Sequence, residues 1–397
     1  MSGVHPGHPQ GPPRLLVYCQ HAVGIGHLMR LLRLIDALRD DFAITLLSGG
    51  HWPGGLVLPD TVELVQLPAL QMRGYHLVAD AGAQSLAHVK QMRRRLVLET
   101  LRRCMPDVLL IELYPFGRKK FAFELLPLII AARRLARPPR IVCSLRDILV
   151  DTRADQQRHD DRAARIVNRY FDAVLVHADP AFATLFDSFR PALPLAVPVH
   201  HTGFIAPARP PVAPRRRDEL LVSVGGGRVG AQLLNLAVDA HALLPAGRRP
   251  ALRLVVGPLG DTACGAALRA RTVGQREIEV VDAVEDLRGE LAAARCSLSQ
   301  GGYNTVMDLL TSGVKALIVP FSEGRENEQR KRAERLAALG LVRQVPTEAL
   351  NASRLAAELV ALDSFAPTPC RLDLDGAARS ADLLRRLGAA DARVSLS

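Results

Sequence analysis

The chain has 397 residues, of which 48% are hydrophobic, so it is long for one ordinary domain and apolar enough for two cores. Its formal net charge is +11, but only 5 of the 51 basic residues are lysine, so an arginine-rich composition explains much of the excess. No apolar run approaches the roughly 20 residues of a membrane span, no signal peptide is evident, and no Cys-x-x-Cys spacing indicates a zinc site. We expect a cytoplasmic two-domain protein with reduced thiols.

The first half of the chain alternates between strand and helix patterns. Residues 1–13, which contain no apolar stretch, predict a disordered tail, and the apolar run 14–20 predicts the first strand. From Leu28 onward apolar residues recur with helical spacing. The further predicted strands lie at 43–47, 62–67, 108–113, 141–145 and 173–177, and the long predicted helices at 79–105, 120–135 and 158–170. Strands that alternate with helices predict βαβ units and a parallel sheet.

A second α/β pattern begins after a break in composition. Residues 207–217, PARPPVAPRRR, are dense in proline and arginine and predict an interdomain linker. The predicted strands that follow lie at 220–224, 252–256, 278–281, 296–299 and 316–321, and the predicted helices at 229–244, 285–294, 303–311 and 377–387. The chain therefore contains two Rossmann-like halves.

Two glycine-rich turns in the second half join a strand to a helix. Gly301 and Gly302 follow one strand, and the run 225–227 follows another. Glycine lets the backbone approach a ligand closely, and the helix behind it directs free N–H groups towards an anion. Arg228 could pair with a diphosphate. The residues therefore predict an anion or nucleotide site, with an ordinary tight turn as the alternative at 225–227.

The stretch around the second turn also carries a resemblance. GGYNTVMDLLTSGVKALIVPF and the following ENEQRKRAERLAALG resemble the donor-binding signature of GT-B glycosyltransferases. The similarity is to the family 28-like clan, which contains the N-acetylglucosaminyltransferase of the lipid-linked peptidoglycan precursor. The matching residues are Gly301, Gly302, Thr305, Asp308, Gly313, Pro320 and Gln329.

The resemblance implies the fold class and the domain division. It implies an α/β protein of GT-B type, in which two Rossmann-like domains with parallel sheets face each other across a cleft. Residues 14–206 would form the acceptor domain, 207–217 the linker and 218–375 the nucleotide-sugar donor domain. Residues 376–397 would contribute a helix that returns to the first domain, and a tail.

The resemblance further implies a donor site in the second domain. Asp308 stands where relatives bind the ribose hydroxyls with an acid that is usually glutamate, Gln329 matches a sugar-contacting glutamine, and Ala283 follows the strand whose backbone binds the base. The candidate donor-binding residues are Gly225, Gly226, Gly227, Arg228, Ala283, Ser299, Gly301, Gly302, Asn304, Thr305, Asp308, Glu328 and Gln329.

The candidate catalytic residues lie in the first half. In Gly-x-Gly-His-x-x-Arg, the glycines present His27 at a helix start, where the helix end favours a neutral imidazole suited to general-base work. Glu112 ends an apolar strand and is predicted to be paired or to act as the base itself. The candidate acceptor- or phosphate-binding residues are Gly24, Gly26, Arg118 and Arg146. Arg146 and Asp147 could instead pair with each other.

Residues 86–140, termed the basic window, hold thirteen basic and four acidic residues. They predict a surface facing anionic lipid or an anionic acceptor, with solvated helix faces as the alternative. No aromatic stacking pattern is interleaved with the basic residues, so we expect no nucleic-acid partner. Peripheral contact with the inner membrane face is a hypothesis.

The leading function is transfer of a sugar from a nucleotide sugar, expected to be a UDP-sugar, to a hydroxyl of a glycan or lipid-linked acceptor. We expect inversion of configuration, no bound metal and no cofactor besides the sugar nucleotide. One alternative keeps the donor site and uses water, as a nucleotide-sugar hydrolase, or acts as an epimerase. Gly-x-Gly-His-x-x-Arg also resembles the UDP-sugar hydrolase of pseudaminic acid biosynthesis. The other alternative is a non-catalytic basic module that binds membrane or nucleic acid.

Overall fold

The computed structural model contains two parallel sheets, each flanked by helices. It describes residues 11–21, 24–73, 76–79, 85–208, 215–226, 230–258, 260, 262–321 and 327–389. The predicted tail up to residue 10 and most of the predicted linker lie outside the described residues. Cys19, Cys104, Cys143, Cys296 and Cys370 are free thiols.

The first sheet has seven strands in the order β3-β2-β1-β6-β7-β8-β9, and all neighbours are parallel. Its strands are β1 (Arg14–Cys19), β2 (Ala43–Ser48), β3 (Val62–Gln66), β6 (Val108–Glu112), β7 (Arg140–Arg146), β8 (Ala173–His177) and β9 (Val199–His201). The helices that follow them are α1 (Gly26–Asp36), α2 (Leu86–Cys104), α3 (Ala122–Arg133) and α4 (Gln156–Tyr170), with a 3-10 turn at Lys119–Phe121 before α3.

Side chains of the first sheet alternate between two cores. Leu15 and Val17 of β1 pack on the face covered by α1, whereas Leu16 and Tyr18 pack on the face covered by α2, α3 and α4. This period of two is what a strand buried on both faces requires. Because β1 lies next to β6, the loop that begins α1 and the end of β6 meet at one edge of the sheet.

One predicted helix in the first half is too long. Residues 79–105 were expected to be one helix, but α2 begins at Leu86, where the Ser85 side chain caps it by accepting from the amide of His88 at 3.2 Å. The residues before it contain a two-stranded antiparallel hairpin, β4 (Leu70–Arg73) and β5 (His76–Ala79). Serine at the N-cap stabilises this start, and the four-residue strands are too short to give a clear pattern.

The second sheet has six parallel strands in the order β12-β11-β10-β13-β14-β15. They are β10 (Arg217–Ser223), β11 (Ala251–Val255), β12 (Ile278–Val281), β13 (Ala294–Ser299), β14 (Lys315–Ile318) and β15 (Arg343–Gln344). The helices of this half are α5 (Ala231–Ala242), α6 (Thr262–Arg271), α7 (Leu287–Ala293), α8 (Tyr303–Ser312), α9 (Glu328–Ala338) and α10 (Ala352–Ser364).

The last helix, α11 (Gly376–Ala389), packs against the first sheet. Its Ala381 and Leu384 lie in the same core as Leu28 of α1. Two sheets of this kind, with α1 and α8 in contact between them, confirm the expected α/β architecture with two parallel sheets. Among the described helices, none is long and apolar enough to cross a membrane.

Candidate functional site

His27 and Glu112 form a hydrogen-bonded pair at the edge where β1 and β6 end. Nδ1 of His27 lies 2.6 Å from Oε1 of Glu112. The histidine side chain is 16% exposed and the carboxylate is fully buried. A neutral imidazole therefore donates from Nδ1, and Nε2, which has no hydrogen-bond partner in the described part of the chain, can accept a proton. Sequence reasoning placed both residues on this edge, and the structure brings them together.

The charges around this pair favour neutral histidine and ionised glutamate. Burial lowers the pKa of His27 well below 6.5, Glu112 partly opposes this, and the guanidinium groups of Arg118 and Arg146 add to it. Burial alone would raise the pKa of Glu112, but His27, Arg30 and Arg118 together hold it far below its ordinary value. The imidazole is thus available as a base at neutral pH.

Arg30 is a site residue that sequence reasoning did not single out. It lies one helical turn after His27, is buried, and donates from Nη2 to Oε1 of Glu112 at 2.5 Å. A buried guanidinium next to a buried carboxylate satisfies a charge that would otherwise be costly. The signal was present in the sequence, because the Gly-x-Gly-His-x-x-Arg spacing places His27 and Arg30 on one helix face.

Three of the four predicted acceptor residues lie near the start of α1 or in the loop after β6. The carbonyl of Gly26 accepts from Nδ2 of Asn304 at 2.9 Å, so the loop that begins α1 contacts the second half of the chain. Arg118 is half-buried, with a left-handed backbone at φ 57°, in the loop after β6. Gly24 lies in the loop just before α1.

The two glycine turns of the second half lie side by side. Gly225 follows β10 with φ 65°, a conformation that favours glycine, and a Cβ there would lie 3.2 Å from Oγ1 of Thr305. A Cβ on Gly301 would lie 3.0 Å from the carbonyl of Gln329, so α9 also approaches this point. Gly302 is the N-cap of α8. Gly227 and Arg228 lie outside the described residues.

Asp308 is engaged by the first half of the chain. Nη2 of Arg33 on α1 lies 3.1 Å from Oδ1 of Asp308, and the aspartate is 9% exposed. Burial raises the pKa of Asp308, while Arg33 opposes that shift. A ribose contact by this carboxylate would therefore compete with Arg33.

The remaining predicted donor residues have varied surroundings. Oε1 of Gln329 accepts from the amide of Phe321 at 3.1 Å. Ala283 is exposed after β12. Ser299 is fully buried, and its Oγ lies 2.8 Å from that of Ser297, so its hydroxyl is engaged within the sheet.

Arg146 and Asp147 do not form the pair that the sequence offered as an alternative to ligand contacts, because each has a partner on α9. Arg146 forms an ion pair with Glu328 of α9. Asp147 accepts from Nε and Nη2 of Arg332 at 2.6 and 2.7 Å, with both side chains fully buried. Arg332 also donates to the carbonyl of Gly301 at 2.7 Å. The residues at the end of β7 therefore bind α9 of the second half of the chain. The contact of Asp147 is bidentate, because the guanidinium of Arg332 matches its two carboxylate oxygens.

Comparison with known proteins shows which sequences this chain resembles. Residues 221–382 match the glycosyltransferase family 28 C-terminal domain. A UDP-N-acetylglucosamine–N-acetylmuramyl-(pentapeptide) pyrophosphoryl-undecaprenol N-acetylglucosamine transferase of Methylorubrum extorquens is 30% identical over 236 residues, covering 59% of this chain and 61% of that protein. Its namesake from Pseudomonas paraeruginosa is 32% identical over 204 residues, covering 51% and 56%. The aligned region thus spans between about half and three fifths of these relatives.

Solved structures extend the likeness over nearly the whole chain. Acinetobacter baumannii MurG superimposes with a TM-score of 0.57 at 15% identity, covering 94% of this chain and all of that one. The calicheamicin glycosyltransferase CalG4 gives a TM-score of 0.55 at 18% identity, covering 96% of both chains. At such identities the likeness shows the fold.

The two parallel sheets and the likeness to these solved structures define a GT-B fold. Within that fold, the second half of the chain is similar to the glycosyltransferase family 28 C-terminal domain.

Proposed function

We propose that the protein transfers a sugar from a UDP-sugar to a hydroxyl acceptor, with inversion. The observation that carries this proposal is the His27–Glu112 pair, which sits beside the contact between α1 and α8. His27 removes the acceptor proton through Nε2 while Glu112 holds the ring. The amides of the glycine turns and the start of α8 stabilise the departing diphosphate. We propose that this needs no metal and no cofactor besides the sugar nucleotide.

The proposed acceptor is a lipid-linked glycan precursor, and the proposed location is the cytoplasmic face of the membrane. Support comes from the names of the curated relatives, which act on a pyrophosphoryl-undecaprenol acceptor. Release of UDP from UDP-N-acetylglucosamine, with and without such an acceptor, tests the reaction. Release that depends on acceptor supports transfer, and equal release without acceptor identifies a hydrolase.

Asp308→Asn should weaken UDP binding roughly tenfold, because a carboxylate that accepts both ribose hydroxyls would lose charge-assisted hydrogen bonds. The measurement is calorimetric titration with UDP and with 2′-deoxy-UDP. The loss should shrink for the deoxy ligand, which lacks one of the two hydroxyls. The matched control is Glu334→Gln, an exposed residue of α9 whose ion-pair partner in the described chain is Arg330 at 3.9 Å.

The ribose role of Asp308 is contradicted by equal losses for both ligands. It is also contradicted if UDP leaves hydrogen-exchange protection near Gly225 and Gln329 unchanged but alters the protection of residues before 207. That second result would move the donor site to the first half of the chain.

We also propose peripheral membrane contact through the groove between α2 and α3. The groove holds about 510 Å³, with exposed Arg94, Arg102 and Arg134 around an apolar floor that includes Leu98 and Ile130. On such a surface the arginines can bind anionic lipid headgroups, and the apolar floor can contact acyl chains.

Not every basic residue of the window contributes to this surface. Arg93 is fully buried and donates from Nε to Oε2 of Glu124 at 2.9 Å. Arg133 donates from Nη2 to Asp172 at 2.8 Å. The proposed contact therefore rests on the exposed arginines alone.

The triple change of Arg94, Arg102 and Arg134 to glutamine should weaken binding to anionic vesicles by about 10²-fold, since each cation near the surface contributes about 1 kcal/mol. Co-sedimentation with phosphatidylglycerol vesicles measures this, and added salt should mimic it. Glutamine at Arg269, Arg271 and Arg295, an equal charge change on the second half, is the control. The proposal is contradicted if the affinity for vesicles does not change with salt concentration or with the content of anionic lipid.

A further inference from the structure

Tyr303 lies between two arginines where the two halves of the chain meet. It is the first residue of α8 and is buried. The guanidinium of Arg30 lies 5.4 Å from its ring centroid, and that of Arg332 lies 5.9 Å away. Its hydroxyl donates to the carbonyl of His177 at 3.2 Å and accepts from the amide of Ile205 at 2.9 Å. Both ends of the side chain are therefore fixed.

A continuous chain of contacts runs from this ring to the proposed base. The guanidinium of Arg30 lies over the Tyr303 ring and donates to Oε1 of Glu112 at 2.5 Å. The same oxygen lies 2.6 Å from Nδ1 of His27. Oε2 of Glu112 is buried without a hydrogen-bond partner among the described atoms, so the carboxylate is oriented through Oε1. Whatever holds Arg30 thus also holds Glu112 and the imidazole.

The ring is well suited to hold Arg30. A guanidinium over an aromatic face is attracted most strongly when both groups are removed from water. Here Tyr303, Arg30 and Arg332 are all buried. Arg30 has a planar fork, so one face can stack on Tyr303 while one edge donates to Glu112. An aliphatic side chain at position 303 would fill space but would not attract the cation.

We propose that Tyr303, although it belongs to the donor-side half, is a positioning residue for the acceptor-side base, acting through Arg30 and Glu112. This rests on the proposed role of His27. The consequence is that the imidazole is aligned only when α8 is docked against α1, so that base and donor turns are brought into place by one contact.

The proposal predicts how two substitutions of Tyr303 differ. Tyr303→Leu removes the ring and should lower kcat roughly tenfold with little change in the KM for donor. Tyr303→Phe keeps the ring and loses only the hydroxyl contacts, so it should lower stability but keep kcat within about twofold. A purely structural role would affect both variants through stability alone.

The pH dependence gives a second readout. His27 faces Glu112 from β6, and the charges of Arg118 in the loop after β6 and Arg146 of β7 act on it, while Arg30 of α1 reaches the same oxygen of Glu112. An Arg30 released from the ring no longer neutralises Glu112, which then attracts the imidazole proton more strongly and raises the pKa of His27. Since only neutral His27 is a base, Tyr303→Leu should lose kcat/KM at a higher pH than the wild type or Tyr303→Phe.

The test combines these profiles with NMR titration of ¹³C-labelled imidazoles, in which His27→Gln identifies the signal. The titration needs no acceptor, so it tests the contact chain even if the wild type releases no UDP, a result that would refute the proposed function alone. If Tyr303→Leu does not fold, Arg30→Lys should shift the same signal, because an ammonium cannot stack and fork together. An unchanged His27 titration, or equal kcat losses in the leucine and phenylalanine variants, overturns the proposal.

Discussion

Turnover should fall by roughly 10²–10⁴-fold when His27 is replaced by alanine, the usual contribution of a positioned general base. UDP binding should stay nearly intact, since the glycine turns at 225–226 and 301–302 belong to the second half of the chain. The measurement is turnover at saturating donor and acceptor, together with the Kd for UDP. A near-normal rate in His27→Ala would end its candidacy as the base.

Glu112→Gln separates orientation from proton removal. Glu112 is fully buried and engaged by both His27 and Arg30, which favours an orienting role over direct contact with an acceptor. We therefore expect a smaller loss than in His27→Ala, because glutamine can still accept from Nδ1 through its carbonyl oxygen. A large loss of turnover in Glu112→Gln, together with a near-normal rate in His27→Ala, would assign the base to the carboxylate.

Strand and helix order could be read from the sequence, because the signals are local. Period-two and continuous apolar runs marked strands such as β1 and β6, and the glycine turns marked where ligand-facing loops begin. The pairing of His27 with Glu112 followed from the same reasoning, since parallel strands place their ends on one edge. The short, half-exposed strands of the 70–79 hairpin had no comparable signal.

Contacts between the two halves could not be predicted in this way. Asp308 and Arg33 are 275 positions apart, and Asp147 and Arg332 are 185 apart. Nothing in either local pattern indicates its partner, and an acid at a strand end suits a ligand as well as a guanidinium. For Arg146 and Asp147, local reasoning offered either ligand contacts or a pair between the two, and it did not indicate α9 as the partner of both.

The largest effect on stability should come from Asp147. Asp147→Ala should lower the free energy of unfolding by about 3–5 kcal/mol, because it leaves the guanidinium of Arg332 buried without its counter-charge. Both side chains are fully buried, and the two hydrogen bonds of 2.6 and 2.7 Å are bidentate. Urea denaturation measures the loss.

Two further variants show whether the uncompensated charge causes this loss. Glu99→Gln breaks an exposed pair with Arg95 and should leave the free energy of unfolding nearly unchanged, because solvent screens such pairs. The double change Asp147→Leu with Arg332→Met removes both charges and should recover much of the stability lost in Asp147→Ala, since apolar groups of similar size avoid the cost of a buried ion. A loss below about 1 kcal/mol in Asp147→Ala would contradict the burial of this pair. If the double variant is no more stable than Asp147→Ala, the unpaired charge of Arg332 is not the cause of the lost stability. The loss would then be assigned to packing between the two halves of the chain.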